Sequence, residues 1–465
     1  MYSMFTSTIA AVSTPRGKGG IAVIRISGPD AFSVCENFIH MKSGKPLSSL
    51  CANTASLARV LDSEGETLDE AVVTVYRAPH SYTGEDTVEI SCHGGILLTE
   101  AVLSRALSCG AVAAGPGEFT RRAFSQGKLS LSEAEAVIGV IDAQTHAALK
   151  LSRKNLEGAI HRKTDEVYTK IGTLISSVYA AIDFPDEDLM DITKEGLREG
   201  IGAVKEALQA LASSYRTGHA VCEGVRTVIF GKPNTGKSTI LNLLAEKNRA
   251  IVTDIAGTTR DVVCETVAAG DIILRLSDTA GIRKSTDAVE RIGVAKSMEA
   301  LDDAELILAV FDASSPMEEE DREVLSLVRA RMETGAQVIA ILNKSDLPAK
   351  ADAALIRQQL GCSPLFLCAQ DRECRAVLVS HIEQLWKSGD LLQGDDAVIA
   401  NARQFASVSS ALSHVSDASA ALDTLGVDIA CTQLEAAMAS LGELDGRQVT
   451  EDIVDRIFHN FCVGK

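Results

Sequence analysis

Short apolar runs separated by turn-rich breaks dominate the first quarter of the chain. Ile9-Ala10-Ala11-Val12 and Ile21-Ala22-Val23-Ile24-Arg25-Ile26 flank the turn-forming Thr14-Pro15-Arg16-Gly17-Lys18-Gly19-Gly20, and further β-rich runs lie at 70–76 and 87–92. Each run has strand length, and a helix is expected after His93-Gly94-Gly95 through Leu107. This alternation predicts a small α/β or α+β domain over residues 1–125. The period then changes. Ser132-Glu133-Ala134-Glu135 reads as a capping box, and Val137, Val140, Ile141, Ala148, Ile171, Leu174, Ile175, Val178 and Ile182 recur at helical spacing before Pro185. Two or three long helices are expected, with another over 194–215. Buried-strand runs return at 225–230, 272–277 and 338–342, interleaved with helices, and predict a parallel-rich sheet over 223–386. Helical runs at 401–425, 432–442 and 450–459 close the chain. The fold class is multidomain α/β plus all-α, in four segments: 1–125, 126–222, 223–386 and 387–465.

At 465 residues the chain exceeds one ordinary core. The 46% hydrophobic and 23% charged content is that of a folded protein, and a net charge of −18 excludes a chain that grips nucleic acid over its whole surface. A polyanionic partner would need a local basic patch. Eleven cysteines include no C-x-x-C pair, and neither a signal peptide nor a membrane-length apolar run is evident. The expectation is free thiols, a cytoplasmic location and no membrane. Asp183-Phe184-Pro185-Asp186-Glu187-Asp188 reads as a solvated acidic turn rather than a cation site.

Gly231-Lys232-Pro233-Asn234-Thr235-Gly236-Lys237-Ser238-Thr239 fits G-x-x-x-x-G-K-[ST] between a strand and a helix. Curled backbone N–H groups and a helix N-terminus suit a triphosphate, Lys237 can reach its outer phosphates and Ser238 can hold Mg²⁺. Downstream motifs select the base. Asp278-Thr279-Ala280-Gly281 ends a strand with a carboxylate near Mg²⁺ and a glycine able to sense the γ-phosphate. Asn343-Lys344-Ser345-Asp346 follows the next strand, and its carboxylate can accept from N1–H and the 2-amino group of guanine, a donor pair that adenine lacks. GTP is therefore the expected ligand, on a Ras-type P-loop domain. Switch I reads Thr253-Asp254-Ile255-Ala256-Gly257-Thr258-Thr259, with Thr259 the natural second Mg²⁺ ligand. Apolar Ile282 stands where signalling GTPases carry a water-orienting glutamine. Asn234 can instead hold a monovalent cation with switch I carbonyls, and Glu290 can position water, although alone it reads as an ordinary helix-start acid.

Other features stay open on residue type. Glu89 lies in a β-rich stretch, and Gly115-Pro116-Gly117-Glu118-Phe119-Thr120-Arg121-Arg122 fixes a turn before a basic helix start. Each, taken alone, reads first as a structural turn or a solvated face. The ending Phe461-Cys462-Val463-Gly464-Lys465 holds either a buried structural cysteine or a thiol activated by Lys465 or a helix terminus.

Together these stretches carry a resemblance. T-P-R-G-K-G-G-I-A-V-I-R-I-S-G-P, S-Y-T-G-E-D-T-V-E-I-S-C-H-G-G, G-P-G-E-F-T-R-R-A-F-S-Q-G-K-L-S-L, D-F-P-D-E, T-D-I-A-G-T-T-R-D and F-C-V-G-K are similar, end to end, to the MnmE (TrmE) family of tRNA-modification GTPases. The resemblance implies an N-terminal domain that binds tetrahydrofolate and dimerises, and a helical domain with the GTPase domain inserted in it. It also implies a homodimer, an FAD-dependent MnmG-type partner in a heterotetramer or larger complex, and a tRNA substrate. Such pairs install an aminomethyl or carboxymethylaminomethyl group on C5 of the wobble uridine, using methylene- or formyl-tetrahydrofolate. Carried over, Arg25, Glu89, Lys128 and Lys465 would contact folate. Asn234, Thr253, Ile255 and Thr258 would hold K⁺, Ser238 and Thr259 would hold Mg²⁺, Glu290 would orient water, and Cys462 would be a functional thiol. The sequence departs from the family at Cys368-Ala369-Gln370, which replaces the usual S-A-K behind the guanine. It departs again at Asp371-Arg372-Glu373-Cys374, which lacks the usual glycines, and at Thr235, where alanine is common. Competing expectations are a ribosome-assembly or signalling GTPase switch with a docking scaffold, and a folate-binding or structural protein whose GTPase domain has lost hydrolysis.

Overall fold

The structure, a computed structural model, describes residues 6–183, 194–245, 265–276, 298–386 and 397–465. Switch I (Thr253 to Thr259), the Asp278-Thr279-Ala280-Gly281 motif, Ile282, Glu290 and most of the acidic turn after Asp183 lie outside the described residues. The chain falls into two compact units, residues 1–138 with 442–465 and residues 139–441.

The first unit is built on a seven-stranded sheet. Its strands are β1 (Ile9–Val12), β2 (Ile21–Ser27), β3 (Ile39–Met41), β4 (Thr54–Leu61), β5 (Thr67–Tyr76), β6 (Thr87–His93) and β7 (Val112–Ala113), in the order β3-β4-β5-β6-β2-β1-β7. All pairings are antiparallel except β1 with β7. Helices α1 (Ala31–Glu36) and α2 (Ile96–Ser108) cover one face. Period-2 alternation decides what faces them. Ala10, Ile24, Ile26, Val73, Val75, Val88 and Ile90 enter that core with Phe32 and Val102. Their neighbours Ile9, Ala11, Arg25 and Glu89 therefore point to the opposite face, where Ile9 and Ala11 pack with Phe119.

Helix α3 (Glu118–Ser125) follows Gly117, and α4 (Leu131–Ile141) follows it. The expected capping box at Ser132 lies two residues earlier. Ser130 Oγ accepts from Glu133 N–H at 3.3 Å and Glu133 Oε2 accepts from Ser130 N–H at 2.6 Å, while Ser132 is buried. Two serines two apart both sit three residues before a glutamate, and burial of one of them chose the other as the cap.

The second unit carries a six-stranded sheet. Strands β8 (Val225–Phe230), β9 (Glu265–Ala269), β10 (Ile272–Leu276), β11 (Leu306–Asp312), β12 (Gln337–Asn343) and β13 (Leu365–Leu367) lie in the order β13-β12-β11-β8-β10-β9. Only the β9–β10 pair is antiparallel. Central β11 is apolar up to its last residue, Asp312, because both its faces are covered: Leu306, Leu308 and Val310 enter one core, Ile307, Ala309 and Phe311 the other. The unit's helices are α5 (His146–Leu156), α6 (Ala159–Asp183), α7 (Lys194–Cys222), α8 (Lys237–Ala245), α9 (Glu319–Glu333), α10 (Ala353–Leu360), α11 (Cys374–Trp386), α12 (Ala402–Thr424) and most of α13 (Val427–Asp445); α14 (Glu451–His459) belongs to the first unit. Among the described residues, no helix is long and apolar enough to cross a membrane.

Candidate functional site

The phosphate loop joins β8 to α8 and is held from three sides. Gly231 has φ +157, and a Cβ there would stand 2.2 Å from the Val310 carbonyl oxygen, so only glycine lets the loop lie against β11. At Gly236, φ +96, a Cβ would meet Asn343 Nδ2 at 2.1 Å. That amide nitrogen donates to the Thr235 carbonyl at 2.9 Å, while Asn343 Oδ1 accepts from Ala369 N–H at 3.0 Å. The buried Asn343 thus ties the phosphate loop to the loop after β13. Thr235 is fully buried and donates to the Lys232 carbonyl at 3.1 Å, which accounts for a hydroxyl at that position. Asn234 is exposed in the left-handed region at φ +62. Lys237 opens α8, and its Nζ donates to the Gly231 and Lys232 carbonyls at 2.8 and 2.7 Å; burial lowers its ammonium pKa. Ser238 and Thr239 follow in the first turn of α8.

The base-reading loop starts at Asn343. Lys344, also left-handed at φ +62, donates through Nζ to Asp312 Oδ2 at 2.5 Å. Burial would raise the Asp312 carboxyl, but bonds from Lys344 and Ser314 hold it below the usual range. Ser345 N–H donates to the Leu367 carbonyl at 3.2 Å, and Asp346 is exposed, open to a base edge. The departures from the family pattern keep this backbone scaffold. Ala369 still supplies its N–H, and without glycine the next loop closes on Asp371, whose N–H donates to the Cys368 carbonyl at 2.9 Å and whose Oδ1 accepts from Glu373 N–H at 2.9 Å. Among the described residues, no cluster of His, Cys, Asp or Glu suits a metal ion.

The second candidate site lies on the face of the first unit's sheet opposite α1 and α2. Register sets Arg25 directly opposite Glu89, with Ala11 and Thr74 as their outer neighbours. Arg25 Nε donates to Glu89 Oε1 at 2.8 Å, and Tyr76 Oη to Glu89 Oε2 at 3.4 Å. The Arg25 guanidinium also lies over the rings of Tyr82 and Phe119, 5.2 and 5.5 Å from their centroids. Burial pushes the Tyr82 phenol up. Lys128 donates through Nζ to the Pro79 and Ser81 carbonyls at 2.8 and 2.5 Å.

The C-terminal residues join this face. Helix α3 has no side-chain N-cap, and the tail supplies the missing acceptors: Gly117 N–H donates to Cys462 O at 3.3 Å and Phe119 N–H to Lys465 O at 3.1 Å. Val463 bridges Pro116, and Ser13 Oγ donates to Gly464 O at 3.0 Å. Cys462 is a free, exposed thiol, which overturns the buried structural reading. Arg25, Glu89 and Lys465 thus converge around Phe119.

Sequence reasoning passed over the groups that assemble this face. Arg122, fully buried, donates to Glu85 Oε1 and Oε2 at 3.1 Å, to Glu118 Oε1 at 2.8 Å and to Ser7 O at 2.8 Å. Glu85 also accepts from Ser27 Oγ at 2.9 Å and Glu118 from Gly115 N–H at 2.8 Å. One buried cation thereby ties the loop after Tyr82 to the start of α3, which carries Phe119. Tyr82 and Phe119 carry no signal beyond their place in the quoted motifs, and Tyr76 none beyond the β-rich run 70–76.

Comparison with known proteins covers the whole chain. The family model described as MnmE helical domain matches residues 131–462, and that described as GTP-binding protein TrmE N-terminus matches residues 8–128. A tRNA modification GTPase MnmE of Symbiobacterium thermophilum is 40% identical over 464 residues, covering 99% of this chain and 100% of that protein. Proteins of the same name from Clostridioides difficile and Geobacillus kaustophilus are each 39% identical, over 460 and 462 residues, covering 98% of this chain and 99% of each relative. With a clamped phosphate loop, a guanine-type N-K-S-D loop and full-length likeness to these proteins, the chain belongs to the MnmE (TrmE) family of tRNA modification GTPases.

Proposed function

We propose that this protein hydrolyses GTP to drive modification of the wobble uridine of certain tRNAs. Working with an FAD-dependent MnmG-type partner, it adds an aminomethyl or carboxymethylaminomethyl group at C5. The observation that carries this is the division of labour within one chain. A phosphate loop cross-tied by Asn343 stands in one unit, and the other carries an Arg25–Glu89 pair together with an exposed thiol on a tail tied to α3. In this reading GTP occupies 234–239 and 343–346, with switch I and Asp278 to Gly281 completing its site. Mg²⁺ falls to Ser238 and Thr259, and K⁺ to Asn234, Thr253, Ile255 and Thr258. Glu290 orients the attacking water, and paired GTPase domains of a homodimer activate turnover.

A tetrahydrofolate derivative, which supplies the one-carbon unit when bound, suits the second site by donor and acceptor chemistry. Glu89 offers carboxylate oxygens to pterin N–H groups, Tyr82 and Phe119 offer aromatic planes, and Lys128 keeps one of its three ammonium N–H donors beyond the two spent on Pro79 and Ser81. Arg25 has a role of its own: paired with Glu89 and stacked on two rings, it fixes the carboxylate and contributes positive charge for an acidic ligand. Cys462, on the tail bonded to Gly117 and Phe119, is in this reading the functional thiol.

Mass-spectrometric nucleoside profiling of tRNA from cells lacking the chain tests the proposal. Loss of the C5 substituent on the wobble uridine is expected, restored by the wild-type gene but not by Cys462→Ser, whose GTP hydrolysis stays intact. An unchanged wobble uridine would overturn the reading and favour a ribosome-assembly or signalling switch.

A further inference from the structure

Two lysines stand in the phosphate loop, and they face different partners. Lys237 opens α8, as the motif requires. Lys232 turns away. Its Nζ lies 2.7 Å from Glu318 Oε2 and 2.8 Å from Asp321 Oδ2, its side chain is 11% exposed and that of Asp321 only 4%. The same Asp321 oxygen accepts from Glu318 N–H at 2.9 Å, closing a capping box at the start of α9, so the acceptor is itself held in place. The Lys232 carbonyl meanwhile receives Thr235 Oγ1 at 3.1 Å and Lys237 Nζ at 2.7 Å. Lys232 is therefore a node. Its side chain is bolted to α9 and its backbone gathers the rest of the loop.

Between that node and the clamped Thr235 stand only Pro233 and Asn234, and Asn234 is left-handed at φ +62. Such a backbone costs about 1–2 kcal/mol outside glycine and persists where its surroundings over-determine it. A largely buried ion pair contributes little net stability, because desolvating the charges offsets their attraction. Geometry is the better account of why two carboxylates and an ammonium are committed here.

We propose that Lys232 is a positioning residue for GTP hydrolysis. Held by Glu318 and Asp321, it fixes the 232–235 turn and so aims the Asn234 side chain at the phosphates and their cation. The part concerning the cation rests on the potassium reading of Asn234 given above.

The test uses the full-length protein with Lys232→Met, Lys232→Arg and the milder Glu318→Gln, which neutralises the more exposed of the two acceptors. Lys232→Met should lower kcat about 10- to 100-fold and raise several-fold the K⁺ concentration for half-maximal activity, with GDP affinity within about threefold of wild type. Glu318→Gln should shift both in the same direction by less, and Lys232→Arg should restore them. A merely structural role would instead lower GDP affinity and thermal midpoint in step with kcat, and that result would overturn the proposal. So would wild-type kcat in Lys232→Met. Should the wild-type protein hydrolyse GTP equally in Na⁺ and K⁺, the potassium reading fails; the split between kcat and GDP affinity then decides the Lys232 role alone.

Discussion

Gly464→Ala isolates the C-terminal tail from the rest of the protein. Gly464 has φ +103, and a Cβ there would stand 2.2 Å from the Val12 carbonyl oxygen and 3.0 Å from Ser13 Cα. Both obstacles are backbone at the end of β1, so neither can swing aside, and the left-handed conformation alone costs alanine about 1–2 kcal/mol. The docked tail gains three hydrogen bonds: Ser13 to Gly464, Gly117 to Cys462 and Phe119 to Lys465. At about 1 kcal/mol net each they total ~3 kcal/mol. The strain therefore consumes most of what docking returns, and the docked-to-free ratio should fall roughly 100-fold, since each 1.4 kcal/mol is tenfold. Hydrogen exchange reads this directly, because the Gly117 and Phe119 amides lose their acceptors and should exchange faster by about the same factor. Phe461 and Phe458 pack upstream of the change, so global stability should move little. GTP hydrolysis should persist while wobble-uridine modification fails. Unchanged protection of those two amides would refute the geometric reasoning. Lost protection with normal modification would refute a role for the tail.

Further outcomes follow from single contacts. Asn343→Ala strands the Thr235 carbonyl and the Ala369 N–H in a buried site, so GTP and GDP affinity should each fall at least about tenfold by fluorescent-nucleotide titration; unaltered affinity would mean the two loops hold without it. Arg122→Met leaves Glu85 and Glu118 without their buried counter-charge and should cost about 3–5 kcal/mol in denaturant unfolding of the first unit, with Lys a poor substitute because it cannot reproduce the guanidinium fork. His219, hydrogen-bonded to Glu223 and to Glu305, has its pKa raised to about 9. Its folded value lies above the ordinary ~6.5, so the stabilisation is complete below about pH 6.5 and is lost as pH rises through about 9. Discounted for solvent screening this amounts to about 1–2 kcal/mol. Thermal midpoints should show wild type losing its advantage over His219→Gln between pH 6.5 and 9.5, and a constant difference would contradict the ion pair.

The nucleotide site was legible because its chemistry is local. Gly231, Gly236, Lys237 and Ser238 sit within one loop, and the backbone that cradles phosphate needs those residue types at that spacing. The same locality made strands on either side of it readable, since burial on both faces leaves continuous apolar runs such as Val338 to Leu342 in β12, while the equally apolar β11 went unread. Cys462 and Glu89 could only be flagged, with the bland reading beside each. Arg25 and Glu89 are 64 residues apart, and nothing in either strand's pattern states that they stand opposite one another. Alternation says which residues share a face, but pairing partner and register depend on how the whole sheet assembles. Likewise the tail's acceptors for Gly117 and Phe119 come from more than 300 residues downstream, and the buried Arg122 looked like one of two adjacent surface arginines. The sequence alone determined a P-loop guanine-nucleotide domain between helical segments, because short-range spacing encodes it. Only tertiary structure decided that an Arg–Glu pair lies against two aromatic rings and that the tail ties back to α3 with its thiol exposed, because contacts between distant segments are fixed by packing and not by spacing.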